Sequence, residues 1–370
     1  MEIKNINMNK NHYCIIMAGG VGSRFWPVSR NNRPKQFLDI LGLGKTFLQL
    51  TFERFSKIVP KENILIVTSE NYKDLVKEQI PEILPEHILL EPFRRNTAPC
   101  IAYATYKLLQ KSPDATVVVA PSDHIITNEE LFHSTIVNAL NYSETHDDLM
   151  TLGIQPTRPE TAYGYIQLNK GELVDVDGNV AYKIKTFTEK PDQQLAKVFV
   201  ESGEFLWNSG IFAWNLKAIK KELETLQPEI SGLFKSISED YYTSKENSSI
   251  RGVYQECVNI SIDYAVMEKT SKAVVYPAGF GWSDLGTWES LYSYVEKDEG
   301  NNYVNSKGET VLEVKDSIVI SEEKKLVVVK GLENYMIVNT KDALMICPRN
   351  GKAFKSVLTD ITTQELSKYQ

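Results

Sequence analysis

The chain has 370 residues, 42% hydrophobic and 24% charged, enough to build a large core arranged as one big domain and a smaller one. Its formal net charge of -7 argues against a nucleic-acid partner, which needs a basic face, while leaving room for a local basic pocket. The four cysteines, Cys14, Cys100, Cys257 and Cys347, form no C-x-x-C pair, which fits neither a disulfide framework nor a zinc site and points to a reducing cytoplasm.

In chain order, the first apolar run is Tyr13-Cys14-Ile15-Ile16-Met17. Lys4 and Lys10 precede it as in a signal peptide, but the run is short and passes directly into Ala18-Gly19-Gly20-Val21-Gly22-Ser23-Arg24. No stretch approaches the ~20 apolar residues needed to span a bilayer, so no membrane partner is expected. A buried strand ending in glycines turns tightly and presents backbone N–H groups to an anion. Here Gly19, Gly20 and Gly22 would supply the donors, with Arg24 and Lys35 as cations on the following loop. Two familiar phosphate loops do not fit. The dinucleotide fingerprint would need glycine at Phe25, and the Walker pattern around Gly44-Lys45-Thr46 would need it at Asp39. A plain strand-turn-helix connection stays open beside the phosphate cradle.

Next, Ile64 to Thr68 reads as a strand, Asn71 to Ile80 as a helix, Ile88 to Leu90 as a strand, Pro99 to Gln110 as a helix and Thr116 to Ala120 as a strand. These strands are continuously apolar, hence buried on both faces, so the first half is expected to be a parallel sheet between helices, with ligands beyond the strands' carboxyl ends. After Ala120 come Pro121-Ser122-Asp123-His124. Asp123 is placed to hold a divalent cation beside phosphates, or to cap the helix that runs through Leu131.

The middle of the chain sets polar groups among aromatics. Ala162-Tyr163-Gly164-Tyr165-Ile166 reads as a strand whose glycine admits a close ligand, Glu189-Lys190 follows another strand, and Asn208 sits between Trp207 and Ser209-Gly210. Carboxylate, amine and amide groups between apolar walls suit hydroxyl-rich sugars, while Asx turns and surface ion pairs remain the plain alternatives. Asp284, in Gly281-Trp282-Ser283-Asp284-Leu285-Gly286-Thr287-Trp288, offers a second carboxylate at the start of a helix. It could join Asp123 on one Mg²⁺ or cap that helix.

Taken together and in order, several motifs resemble the sugar-phosphate nucleotidyltransferases, and within them the mannose-1-phosphate guanylyltransferase family. They are Gly-Gly-Val-Gly-Ser-Arg, Arg33-Pro34-Lys35-Gln36-Phe37, Glu91-Pro92 through Arg95-Asn96-Thr97-Ala98-Pro99, Ser122-Asp123-His124, Tyr163-Gly164-Tyr165, Glu189-Lys190-Pro191, Trp207-Asn208-Ser209-Gly210, Ser261 to Lys269, and the Trp282–Trp288 loop. The resemblance covers about residues 13 to 290. It implies a Rossmann-like, mostly parallel α/β sheet flanked by helices in the GT-A-like manner. The implied reaction takes GTP and mannose 1-phosphate to GDP-mannose and pyrophosphate, with Mg²⁺, by in-line attack on the α-phosphate.

The same resemblance implies roles. Ala18, Gly19, Gly20, Gly22, Ser23, Arg24, Lys35 and Ser122 would bind nucleotide, with Asn96 and Thr97 at the base. Tyr163, Gly164, Glu189, Lys190, Asn208 and Asp263 would bind the sugar phosphate. Arg24, Lys35, Asp123 and Asp284 would be catalytic, with both aspartates on the metal. A uridylyl- or thymidylyltransferase acting on another sugar 1-phosphate, a non-catalytic nucleotide-sugar sensor and an assembly subunit are the competing readings. Longer family members carry an appended isomerase domain that needs metal-binding histidines, and here none follows His146.

The domains are expected at 1–295, catalytic, and 296–370. In the latter, Thr310–Val314, Ser317–Ile320, Leu326–Val329, Tyr335–Val338 and Ala343–Ile346 read as short strands of a small β-roll or left-handed β-helix-like unit, able to pack on another copy in a homodimer.

Overall fold

The computed structural model describes residues 8–20, 22–364 and 366–369, without the side chains of 23 and 367. Contacts divide the chain into two compact units: residues up to Gly19 with Leu50–Trp282, and Gly20–Gln49 with the chain from Ser283 onward. No helix among the described residues is long and apolar enough to cross a membrane.

The first unit is built on a nine-stranded sheet. Its strands are β1 (His12–Met17), β2 (Ile64–Ser69), β3 (Ile88–Glu91), β4 (Thr116–Pro121), β6 (Leu149–Ile154), β7 (Tyr165–Val176), β8 (Asn179–Thr188), β9 (Phe205–Asn215) and β10 (Ala273–Ala278), while Ile125–Ile126 and Trp282–Ser283 are short separate strands, β5 and β11. The order in the sheet is β3-β2-β1-β4-β9-β6-β10-β8-β7. Strands β1 to β4 pair in parallel, as do β6 and β10. Strand β9 lies antiparallel between β4 and β6, and β7 and β8 form an antiparallel hairpin.

The βαβ rhythm of the sequence explains the parallel part. Ile64, Leu65, Ile66 and Val67 are fully buried, as are Val117, Val118 and Val119, because helices cover both faces. One of these, α3 (Thr97–Leu108), shares a core with α6 (Leu216–Leu226), α7 (Pro228–Ser236) and α8 (Glu246–Glu256). Further helices are α1 (Phe47–Phe55), α2 (Lys73–Gln79), α4 (Glu129–Thr145) and α5 (Gln193–Ser202). Strand β7 begins at Tyr165, so Tyr163 and Gly164, read as strand in the sequence, stand just before it.

In the second unit, β12 (Tyr303–Ser306), β14 (Ile318–Ser321) and β16 (Tyr335–Asn339) stack in parallel, and β17 (Leu344–Pro348) closes the sheet antiparallel. Strands β13 (Thr310–Lys315) and β15 (Val327–Glu333) form a second parallel ladder. Val314, Val319 and Ile337 make the core between them. This is a β-rich coil of the expected kind. The periodic reading passed over β12 and the helix α10 (Gly351–Thr363), which Asn350 caps by accepting the Ala353 N–H.

Candidate active site

In the first unit the strand ends hold one group of the expected residues. The Ala18 carbonyl accepts from the Thr68 hydroxyl at 2.8 Å, and the Ser122 N–H donates to the Met17 carbonyl at 3.0 Å, which pins the ends of β1 and β4. Asp123 follows at once and is half-buried. It does not cap the next helix: α4 takes its cap from Asn128, whose side chain accepts the Leu131 N–H at 3.0 Å. The capping alternative for Asp123 falls because the chain runs through β5 before it turns into the helix.

Beyond β3, Asn96 accepts the Thr97 N–H at 2.9 Å and so caps α3, while the Thr97 hydroxyl accepts the Ile262 N–H at 2.8 Å. Both side chains therefore carry structural hydrogen bonds. Glu91, which the sequence reading took only as the start of this loop, stands at the end of β3, 9% exposed. Its Oε1 accepts from the Tyr254 hydroxyl at 3.0 Å, and its Oε2 lies 3.0 Å from where a Cβ on Gly19 would be. Burial pushes its carboxyl up to about 7, against the pull of the Tyr254 hydrogen bond. A side chain at position 19 would press on this carboxylate, which would have to give way by a few tenths of an ångström. The signal available in the sequence was a lone acid at the carboxyl end of a parallel strand, the same signal that singled out Asp123.

The expected sugar-phosphate residues are brought together. A Cβ on Gly164 would meet Glu189 Oε2 at 2.4 Å and approach Asn208 Cβ at 3.4 Å, so these three positions touch. The Asn208 N–H donates to the Gly164 carbonyl at 2.8 Å, and the Lys190 N–H to the Tyr163 carbonyl at 3.2 Å. Asn208 Nδ2 donates to Asp263 Oδ1 at 2.8 Å. Desolvation, with Glu189 adding repulsion, pushes the Asp263 carboxyl up to about 6. Glu189 is itself 8% exposed and pairs with Lys190, whose side chain is 58% exposed. Aromatic rings line this region: Tyr163 packs edge-on against Trp207 and Trp282, both with centroids at 5.1 Å, and Trp282 Nε1 donates to His124 Nδ1 at 3.1 Å. The sequence placed Trp207 and Trp282 among its polar motifs; their packing on Tyr163 is supplied by the fold.

The second unit holds the rest of the glycine-rich segment. Gly22 has φ +58°, and a Cβ on it would fall 2.6 Å from Lys35 Cβ and 2.7 Å from Lys35 N, so only glycine lets the two stretches close together. Gln36 Nε2 donates to the Gly20 carbonyl at 2.8 Å. Lys35 is 4% exposed, lies 5.8 and 5.3 Å from the ring centres of Phe25 and Phe47, and donates from Nζ to the Asp284 carbonyl at 2.7 Å. Asp284 Oδ1 accepts the Gly286 N–H at 3.0 Å. Exposed Arg24 comes close here too, its Nη1 at 3.4 Å from where a Gly286 Cβ would be. Asp284 is not the helix cap either. Thr287 and Ser290 form a reciprocal capping box on α9 (Trp288–Tyr294). Ser23 opens a 3₁₀ turn with Arg24, and its side chain lies outside the described residues.

Chemically, these groups offer backbone and cationic partners for anions in one unit, and acid, amide and ammonium partners for hydroxyls and a phosphate in the other. Comparison with known proteins defines the class. The model of the family described as Nucleotidyl transferase matches residues 13–301, and the chain belongs to that family.

Among its relatives, the mannose-1-phosphate guanylyltransferase of Klebsiella pneumoniae is 37% identical over 360 residues, 96% of this chain and 75% of the relative. That of Escherichia coli is 38% identical over 338 residues, 90% of this chain and 70% of the relative. A crystal structure from Thermus thermophilus, described as a mannose-1-phosphate geranyltransferase, superposes with a TM-score of 0.83 at 28% identity, covering 95% of this chain and 99% of that one.

Proposed function

We propose that this nucleotidyltransferase moves the guanylyl group of GTP onto mannose 1-phosphate, giving GDP-mannose and pyrophosphate. The observation that carries the reading is the cluster of Gly164, Glu189, Lys190, Asn208 and Asp263, a hydroxyl- and phosphate-binding set, in a chain 37% identical to a named mannose-1-phosphate guanylyltransferase. In this reaction a phosphate oxygen of the sugar phosphate attacks the α-phosphorus of GTP. The bond from α-phosphorus to the bridging oxygen breaks, and pyrophosphate leaves with the electron pair. No proton transfer and no covalent enzyme intermediate are required.

The residues divide this work. Glu189 accepts from vicinal hydroxyls and Lys190 neutralises the sugar's phosphate. The backbone of Ala18, Gly19, Gly20, Gly22 and Ser23, with Ser122 and Arg24, holds the triphosphate, and Lys35 stabilises charge on the reacting phosphates. The base lies against the Glu91–Pro99 segment. Asn96 and Thr97 line it.

Asp123 in the first unit and Asp284 in the second would each be a carboxylate ligand for Mg²⁺. The donor set suits it, since both are hard carboxylates and neither serves as a helix cap. Bound to these carboxylates, it would supply positive charge that lets two anionic reactants meet.

The test is pyrophosphate release by the purified protein with GTP, mannose 1-phosphate and Mg²⁺, with glucose 1-phosphate and UTP as comparators. Faster turnover with GTP and mannose 1-phosphate is expected. Preference for another pair, or binding without pyrophosphate release, would overturn the proposal.

A further inference from the structure

Strand β9 does not run evenly past β6. Thr151 pairs with Phe212 and Gly153 with Asn208, so Leu152 alone on β6 faces Ser209, Gly210 and Ile211 on β9. This is a bulge, and Gly210, at φ +70°, takes its left-handed residue. Bulges beside binding sites re-aim side chains, and the one re-aimed here is Asn208. Under the bulge, fully buried Thr151 presents its hydroxyl 3.0 Å from Asn208 Oδ1 and 3.2 Å from the Ile211 carbonyl. The Gly210 N–H donates to the same Oδ1 at 3.2 Å. On the opposite side, Nδ2 donates to Asp263 Oδ1 at 2.8 Å.

The carboxamide is therefore held by donors at its oxygen and by an acceptor at its nitrogen. Turned over, it would set its N–H groups against the Gly210 N–H and its oxygen against a carboxylate. Asp263 takes one of the two amide hydrogens, and the second remains for a ligand.

We infer that Thr151 is a positioning residue for the hexose phosphate: its hydroxyl locks the Asn208 carboxamide so that the second amide hydrogen is offered to a substrate oxygen. The inference rests on the reading of the Gly164–Glu189–Asn208 cluster as the sugar subsite. Thr151 itself touches no substrate, and it belongs to none of the motifs by which the sequence resembles its family.

Steady-state kinetics with both substrates varied test it. Thr151→Val keeps the β-branched shape and removes the hydrogen bond, so KM for mannose 1-phosphate should rise about tenfold with KM for GTP unchanged. Thr151→Ser should restore it. Thr151→Val added to Asn208→Ala should cost nothing beyond Asn208→Ala alone, because both act through one amide. Should the valine variant fail to fold, Thr151→Cys, a weak donor of similar size, should give an intermediate rise.

An unchanged KM for mannose 1-phosphate would overturn the inference. So would an equal rise in both KM values that serine does not rescue, the mark of a purely structural role. These results are distinct from failure of the subsite reading itself, in which the wild-type protein would form no GDP-mannose and the inference would fall with it.

Discussion

Lys35 and Lys190 hold their charges in opposite ways. Lys35 is 4% exposed, enclosed by Phe25 and Phe47 and tied to the Asp284 carbonyl, whereas the Lys190 side chain is 58% exposed and shares its charge with Glu189. A cation fixed before the reaction needs no reorganisation when charge develops, which suits the transition state. An exposed surface cation suits collecting an anion from solution. The glycine-rich segment of the second unit and the polar cluster of the first thus differ in how their charge is organised, as the proposed division between chemistry and binding requires.

The sharpest way to break that contrast is Lys35→Met. It should lower kcat by about 100- to 1,000-fold, read as pyrophosphate release under saturating substrates. Asp123→Ala should cost roughly 100-fold in kcat with Mg²⁺ present, read as pyrophosphate release under saturating substrates. Near-normal turnover would remove Asp123 from the reaction.

Gly164→Ala tests the other region. The new methyl group would collide with Glu189 Oε2, and kcat/KM for mannose 1-phosphate should fall about tenfold or somewhat more, while KM for GTP holds. Lys190→Met should raise KM for mannose 1-phosphate by about tenfold with little change in kcat. A large kcat effect instead would erase the contrast between the two lysines.

The smallest effect concerns stability and pH. Glu91 is raised from 4.5 to about 7 and Asp263 from 3.8 to about 6, so between those limits the folded chain binds more protons than the unfolded one. Their stabilising contribution is full only below the unfolded values of 3.8 and 4.5 and is lost as pH rises through about 6 for Asp263 and about 7 for Glu91. The melting temperature of the ligand-free protein should therefore carry a downward component of a few degrees from about pH 4 to about pH 7. Glu91→Gln and Asp263→Asn should each flatten it, and curves parallel to wild type would dismiss the effect.

Much of the fold was legible because strands buried on both faces cannot hide their composition. Ile64–Thr68 and Thr116–Ala120 read as strands and fold as strands. The five short C-terminal runs likewise fold as β13 to β17, since turn residues bound each one. Of the site, the glycines and the Glu189–Lys190 and Asn208 motifs were visible as residue types in order. Glu91 was missed because its position against Gly19 depends on the parallel pairing of β1, β2 and β3. Thr151 was missed because it meets Asn208 across 57 residues, through a bulge that a period-two pattern does not announce.

Local chemistry alone was enough to say that glycines end the first strand, that acids follow two others, and that the middle of the chain offers groups suited to hydroxyl-rich sugars, with Asx turns and surface ion pairs as the plain alternatives. Which acids were free of helix-capping duty was decided only when Asn128 and Thr287 took the caps. Only the folded chain likewise decided which way the Asn208 amide faces and how far burial lifts Glu91 and Asp263. The reason is physical: residue type sets what a group can do, whereas protonation and orientation depend on neighbours that strand register supplies from far along the chain.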